Sequence, residues 1–135
     1  MQQDENVFGH ERLEVYQLAL ELLEHAHQVA ISLFVASTRG SGSGVAIGLP
    51  RGRGDLSDQL RRAASSITLN IAEGAEESSK QEKRRFYRMG RRSAAECTAI
   101  LDVGAKYQLV DEKKRQSARS CLLRIVLILV KLGAT

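Results

Sequence analysis

Between Asp58 and Gly74 the chain reads D-Q-L-R-R-A-A-S-S-I-T-L-N-I-A-E-G, and Leu60, Ala63, Ala64, Ile67 and Ile71 recur at intervals of three and four. That spacing marks a helix with one apolar stripe, and such a stripe must be buried against another element to be stable. Ala63 and Ala64 leave little side-chain bulk, so a neighbouring helix can come close, while Arg61 and Arg62 step off the stripe towards water or a partner. Asn70 and Glu73 lie three apart on adjacent turns, and Gly74 is the residue type best suited to end a helix in the left-handed conformation. The expectation is a tight helix with a polar end, stopping at Gly74.

Comparable periodicity runs through the rest of the chain. From about Arg12 to Ala36, Val15, Ala19, Leu22, Ala26, Val29 and Leu33 alternate at four and three, with Tyr16, Leu20, Leu23, Ala30 and Phe34 beside them. So wide an apolar face suits a bundle helix that touches two neighbours. The second helix is expected from about Leu56 to Glu73, with Asp55 or Ser57 as its N-cap. Ser79 followed by Glu82 is a capping-box pattern that opens a third helix, which is expected to reach Tyr107. Its inward line reads Phe86, Gly90, Ser93, Cys97, Ile100, Gly104 and Tyr107, where small residues alternate with large ones and favour close approach. After a turn at Leu109 and Val110, Asp111 caps a fourth helix that runs to about Leu132. Beyond Cys121 this helix is apolar nearly all round, which places it at the centre of a bundle or under another subunit. Together these helices predict an all-α fold, an antiparallel up-down-up-down four-helix bundle.

Two segments break the pattern. Residues 1–11 read as a flexible leader. Residues 37–55 read as a Gly-rich loop, because Thr38 to Asp55 holds six of the eleven glycines and the only proline. Each glycine costs a helix interior about 1 kcal/mol relative to alanine. The loop lacks the following Lys with Ser or Thr, and the preceding strand, that a nucleotide-binding loop requires. Arg39, Arg51 and Arg53 offer non-specific phosphate contacts at most.

Composition narrows the function classes. A chain of 135 residues with 43% hydrophobic residues suits one domain over 1–135 with a real core. Cys97 and Cys121 have neither C-x-x-C spacing nor a disulfide-dense setting, and a reducing cytoplasm is the simplest home. No basic start precedes an apolar run, so no signal peptide is expected. Leu122 to Val130, the most apolar run, contains Arg124 and falls short of the roughly 18 residues of a membrane span. His25 and His27 point roughly 200° apart on a helix and make a poor metal pair, so no metal is expected. No G-x-S-x-G, H-E-x-x-H or P-loop occurs, and Glu76 with Glu77 suits a helix boundary. Neither catalytic residues nor a cofactor is predicted, and the chain does not read as an enzyme.

Charge is informative through its distribution. The net charge is +4, yet residues 1–36 carry one Arg against six carboxylates, and residues 78–92 carry seven Lys and Arg against one Glu. Lys80, Arg84, Arg88 and Arg91 follow i, i+4, i+8, i+11 on the third helix, flanked by Lys83, Arg85 and Arg92. Like charges at this spacing repel by a few tenths of a kcal/mol per pair. An acidic partner relieves the strain, either Glu14, Glu21 and Glu24 of the first helix or a polyanion outside. Arginine suits bidentate phosphate contacts, and with few aromatics nearby the expectation is backbone binding with little base readout.

The run Q-L-R-R-A-A at Gln59 to Ala64, followed by S-I-x-x-N-I-A-E-G at Ser66 to Gly74, resembles the bacterial four helix bundle proteins. That group includes the 23S ribosomal RNA intervening sequence proteins and the accessory protein of diversity-generating retroelements. The resemblance extends more loosely to Leu13, Glu14, Val15 and Tyr16, and to Phe86, Ser93 and Glu96. Thr68 and Leu69 stand where many members carry Pro and Ser, Arg92 and Cys97 replace a common Gly and Leu, and the loop before Leu56 is longer. The resemblance implies a ring-like homo-oligomer, a pentamer, acting as a non-catalytic accessory protein associated with RNA or DNA. The expected contacts are Lys80, Arg84, Arg85, Arg88, Arg91 and Arg92, with Arg61 and Arg62 as alternates, and a ring would multiply a weak patch into an avid one. The alternative is an oligomeric scaffold that docks a protein such as a reverse transcriptase. Asn70 and Glu73 are expected to form a buried polar network that fixes helix register.

Overall fold

The computed structural model describes residues 7–39 and 55–134. A short 3-10 helix, Gly9–Arg12, leads into α1 (Glu14–Arg39), α2 (Leu56–Glu76), α3 (Lys80–Lys106) and α4 (Glu112–Ala134), with no strand among the described residues. Each helix contributes its apolar side to one common core, where Leu22, Leu33, Ile67, Ile71, Leu101, Ile125 and Leu129 are fully buried. The architecture is an all-α four-helix bundle. α1 and α3 each pack on both α2 and α4, so α1 and α3 stand across the core from one another. Contacts along neighbouring helices run in opposite order. Gly74 meets Tyr87 and Ser66 meets Ser93 between α2 and α3. Gly90 meets Leu129 and Asp102 meets Arg115 between α3 and α4, and Glu14 meets Arg124 and Leu18 meets Cys121 between α1 and α4.

Side chains close the helix starts, where the first N–H groups have no partner within the helix. Asp55 accepts from the Asp58 N–H at 2.9 Å, Ser79 from the Glu82 N–H at 3.4 Å, and Asp111 from the Lys113 N–H at 3.1 Å. At the other end of α2, Lys83 Nζ donates to the carbonyls of Gly74 (3.2 Å) and Ala75 (2.9 Å). A cation there meets the negative end of the helix dipole, so Lys83 belongs to the fold and not to the free basic face.

Three expectations change. α2 does not stop at Gly74: it continues to Glu76, and Gly74 is buried inside it. A β-carbon on Gly74 would sit 2.8 Å from Tyr87 Cε1 and 3.0 Å from Phe86 Cβ, so glycine is present for close helix approach. The inward line of α3 runs through Tyr87 and Ala94, with Gly90, Cys97, Ile100, Leu101 and Gly104. Phe86 and Ser93 are half-buried and Tyr107 is 48% exposed. Packing against both α2 and α4 rotates the buried arc of α3, and one residue corresponds to 100° of turn. Part of the expected leader is also held in place. His10 donates its backbone N–H to Glu76 Oε1 at 3.0 Å, with Nδ1 at the same distance, and its ring lies between Phe8 and Tyr16. Leader residues 1–6, and residues 40–54 of the Gly-rich loop with Arg51 and Arg53, lie outside the described residues.

Residues Glu14–Ala36 of α1 are long and apolar enough by composition to cross a membrane. Val15, Ala19, Leu22, Ala26, Val29 and Leu33 of that stretch fill the core, while Leu20, Ile31, Phe34 and Val35 are exposed.

Candidate nucleic-acid interface

α3 begins at the Ser79 cap and lies between α2 and α4, so helical geometry divides its outer surface into two edges. Ser93 faces α2 and Asp102 faces α4. On that frame Met89 lies towards the α2 edge, Arg85 and Arg92 point outward, and Lys80, Arg84, Arg88 and Arg91 lie towards the α4 edge. Lys80, Arg84, Arg85, Arg88 and Arg92 are exposed, and Arg91 is half-buried, with its Nε buried and unpartnered among the described residues. Arg85 pairs with Glu82 at 3.0 Å, and its guanidinium lies over the Phe86 ring, 4.6 Å from the centroid. The other five have no carboxylate within ion-pair distance among the described residues.

The first helix does not supply the missing acid. Glu14 pairs with Arg124 at 3.5 Å and Glu21 with His25 at 3.8 Å. Because α1 stands across the core from α3, its carboxylates and the α3 arginines lie on opposite sides of the subunit.

Arg61 and Arg62 are exposed on the outer face of α2, the helix beside α3. They line a shallow groove of about 500 Å³ together with Ser65, Ser66, Leu69, Asn70 and Glu73, walled on the α3 side by Met89. Arg85 Nη1 lies 3.7 Å from Met89 Sδ, which joins the groove to the outward part of the basic face. The structure thus places Arg61 and Arg62 in one depression, with Arg85 touching its Met89 wall, and leaves Lys80, Arg84, Arg88 and Arg91 on the far edge. Sequence reasoning missed Leu69 and Met89 as lining residues. The one signal was Leu69 itself, a large apolar residue off the buried stripe of α2.

The two polar residues near the end of α2 part company. Asn70 is 8% exposed, and its Nδ2 donates to the Ser66 carbonyl at 2.8 Å and to Ser66 Oγ at 3.1 Å. Ser93 Oγ donates to Ser66 Oγ at 2.8 Å, so the network ties α2 to α3. Glu73 is exposed at the end of the groove and takes no part in that network.

The two thiols are core residues. Burial pushes the Cys97 thiol up to about 12 and the Cys121 thiol up to about 11, and Cys121 Sγ donates to the Leu18 carbonyl at 3.3 Å. Neither is poised as a thiolate nucleophile. Among the described residues no cluster of three His, Cys, Asp or Glu is placed to hold a metal ion.

A small four-helix bundle with an arginine-rich third helix is the class that fold and surface define. Residues 49–131 match the 23S rRNA-intervening sequence protein family, and the chain belongs to that family. The match spans α2, α3 and most of α4, and therefore the groove and the basic face. No curated protein matches the chain.

Proposed function

We propose that this protein is a non-catalytic, homo-oligomeric, cytoplasmic accessory protein that binds the backbone of RNA or DNA through the outer face of α3. One observation carries the reading: Lys80, Arg84, Arg88, Arg91 and Arg92 have no carboxylate partner among the described residues. Phosphate supplies the missing charge and matches the guanidinium fork. The exposed apolar residues Leu123, Leu127 and Val130 form a stripe on α4 at i, i+4 and i+7, and sister copies cover it in a ring that the family resemblance implies to hold five. Each copy then presents one basic face to the same strand.

Fluorescence anisotropy with a labelled oligonucleotide tests this. With three phosphate contacts, affinity falls about 40-fold as salt rises from about 50 to about 200 mM. The double substitution Arg84→Glu and Arg88→Glu removes binding while helicity is kept. Affinity indifferent to both salt and these substitutions overturns the proposal.

The second reading is an oligomeric scaffold that docks a protein such as a reverse transcriptase. The α4 stripe favours it, since a hydrophobic dock buries that surface and does not weaken as salt rises.

A further inference from the structure

We infer that the groove along α2 seats one unpaired base of a single-stranded polynucleotide, with the base against Leu69 and Met89 and its phosphate at Arg61 and Arg62. The inference rests on the backbone-binding reading and deepens it, because phosphate contact by α3 alone needs no base.

Leu69 is 60% exposed amid Arg61, Arg62, Ser65 and Glu73, and Met89 is 36% exposed on the facing wall. Two exposed apolar side chains lining a charged groove leave area in water that a flat ring would cover. The volume of about 500 Å³ lies within the range of small-ligand sites. A base also carries what the surroundings ask for. Arg85 is held in place by Glu82 and Phe86 and presents a planar guanidinium beside Met89, a surface on which bases stack. Asn70 uses its amide nitrogen on Ser66, which leaves its side-chain oxygen as an acceptor.

Charge sets the direction of the seat. Glu73 follows Arg62 by eleven residues, about 16 Å along the helix axis. Phosphate is drawn to the arginine end and repelled by the carboxylate end, while Asn70 Oδ1 and Glu73 accept N–H groups from a base edge. A duplex keeps its bases paired and stacked and cannot fill the groove, whereas a single strand can.

Three labelled probes of equal length test this on the full chain: a mixed-sequence single strand, the same strand made abasic, and the duplex. The single strand binds about tenfold more tightly than the abasic strand. It also binds more tightly than the duplex. Leu69→Ala abolishes both differences and leaves abasic and duplex binding unchanged. Leu69 is on the surface, and a thermal melt by circular dichroism verifies that the variant is folded; Leu69→Ser serves as a second variant. Equal affinity for the base-bearing and abasic strands overturns the groove and leaves the backbone reading standing. Absence of salt-sensitive binding to all three probes overturns both. A change of oligomeric state in Leu69→Ala by light scattering means that a sister copy covers the groove, and overturns the inference.

Discussion

Gly74 and Asn70 sit one turn apart on α2, and each holds α3 in a different way. At Gly74 the surface must be bare, because Tyr87 and Phe86 come within 2.8 Å and 3.0 Å of the place a β-carbon would take. Alanine improves helix propensity by about 1 kcal/mol. Overpacking against a ring already wedged between helices costs about 1 to 3 kcal/mol, so Gly74→Ala is expected to be net destabilising in urea unfolding. A more stable variant would show that close approach is not what requires glycine. At Asn70 the link is polar and indirect, through Ser66, whose hydroxyl accepts from Ser93 of α3, and Asn70→Ala removes both bonds to Ser66. The expected loss is about 1 to 2 kcal/mol, read as a lower Tm. Unchanged stability with lost RNA binding would mean that Asn70 acts only as a ligand contact and that its bonds to Ser66 do not stabilise the fold. The sequence made Asn70 legible as a buried polar residue with a partner, since a polar group inside an apolar stripe needs one. It did not separate Phe86 from Tyr87, because adjacent residues differ by 100° and both are large.

The helices themselves were legible to within a few residues, and their starts were the clearest part. Cap residues act over three positions of the chain, so Asp55, Ser79 and Asp111 announce themselves locally. Asp55 adds a pH dependence. Hydrogen bonds from the Ser57 side chain and the Asp58 N–H hold its carboxyl below the ordinary carboxylate range. A carboxyl depressed in the folded state stabilises the fold above its unfolded value, and that contribution disappears as pH falls through the folded value. Thermal melts should therefore show a lower Tm as acid protonates Asp55. In Asp55→Ala the loss of about 1 kcal/mol is already present at neutral pH, and the acid limb is shallower. Glu76 is lowered in the same direction, first by the His10 backbone N–H and then by the His10 side chain, so protonating it weakens the contact with His10 on the same acid limb. If Asp55→Ala kept the parent's acid limb unchanged, the cap would not be the titrating contact.

At the scale of the whole molecule the surfaces matter more than the core. Leu123 and Leu127 are 53% and 56% exposed, and with Val130 they point away from the bundle. If sister copies cover them, the double substitution Leu123→Lys and Leu127→Lys yields a monomer by light scattering with helicity retained. An oligomer of unchanged size would remove the stripe from the assembly and favour the docking of another protein there. The basic run of α3 was readable as a face, but its lean towards α4 and its position across the core from the α1 carboxylates were not. Both follow from which helices are neighbours.

What the sequence determined by itself was local: four helices, their approximate spans, their caps and the concentration of arginine on the third. Each depends on residues within a few positions of one another, where the 3.6-residue turn dictates which side chains share a face. The tertiary structure decided that Gly74 is a contact surface, that Tyr87 turns inward, that α1 lies across the core from α3, and that Leu69 and Met89 meet around a groove. Those outcomes depend on pairs of residues far apart in the chain, and only the packing of α2, α3 and α4 against one another brings them together.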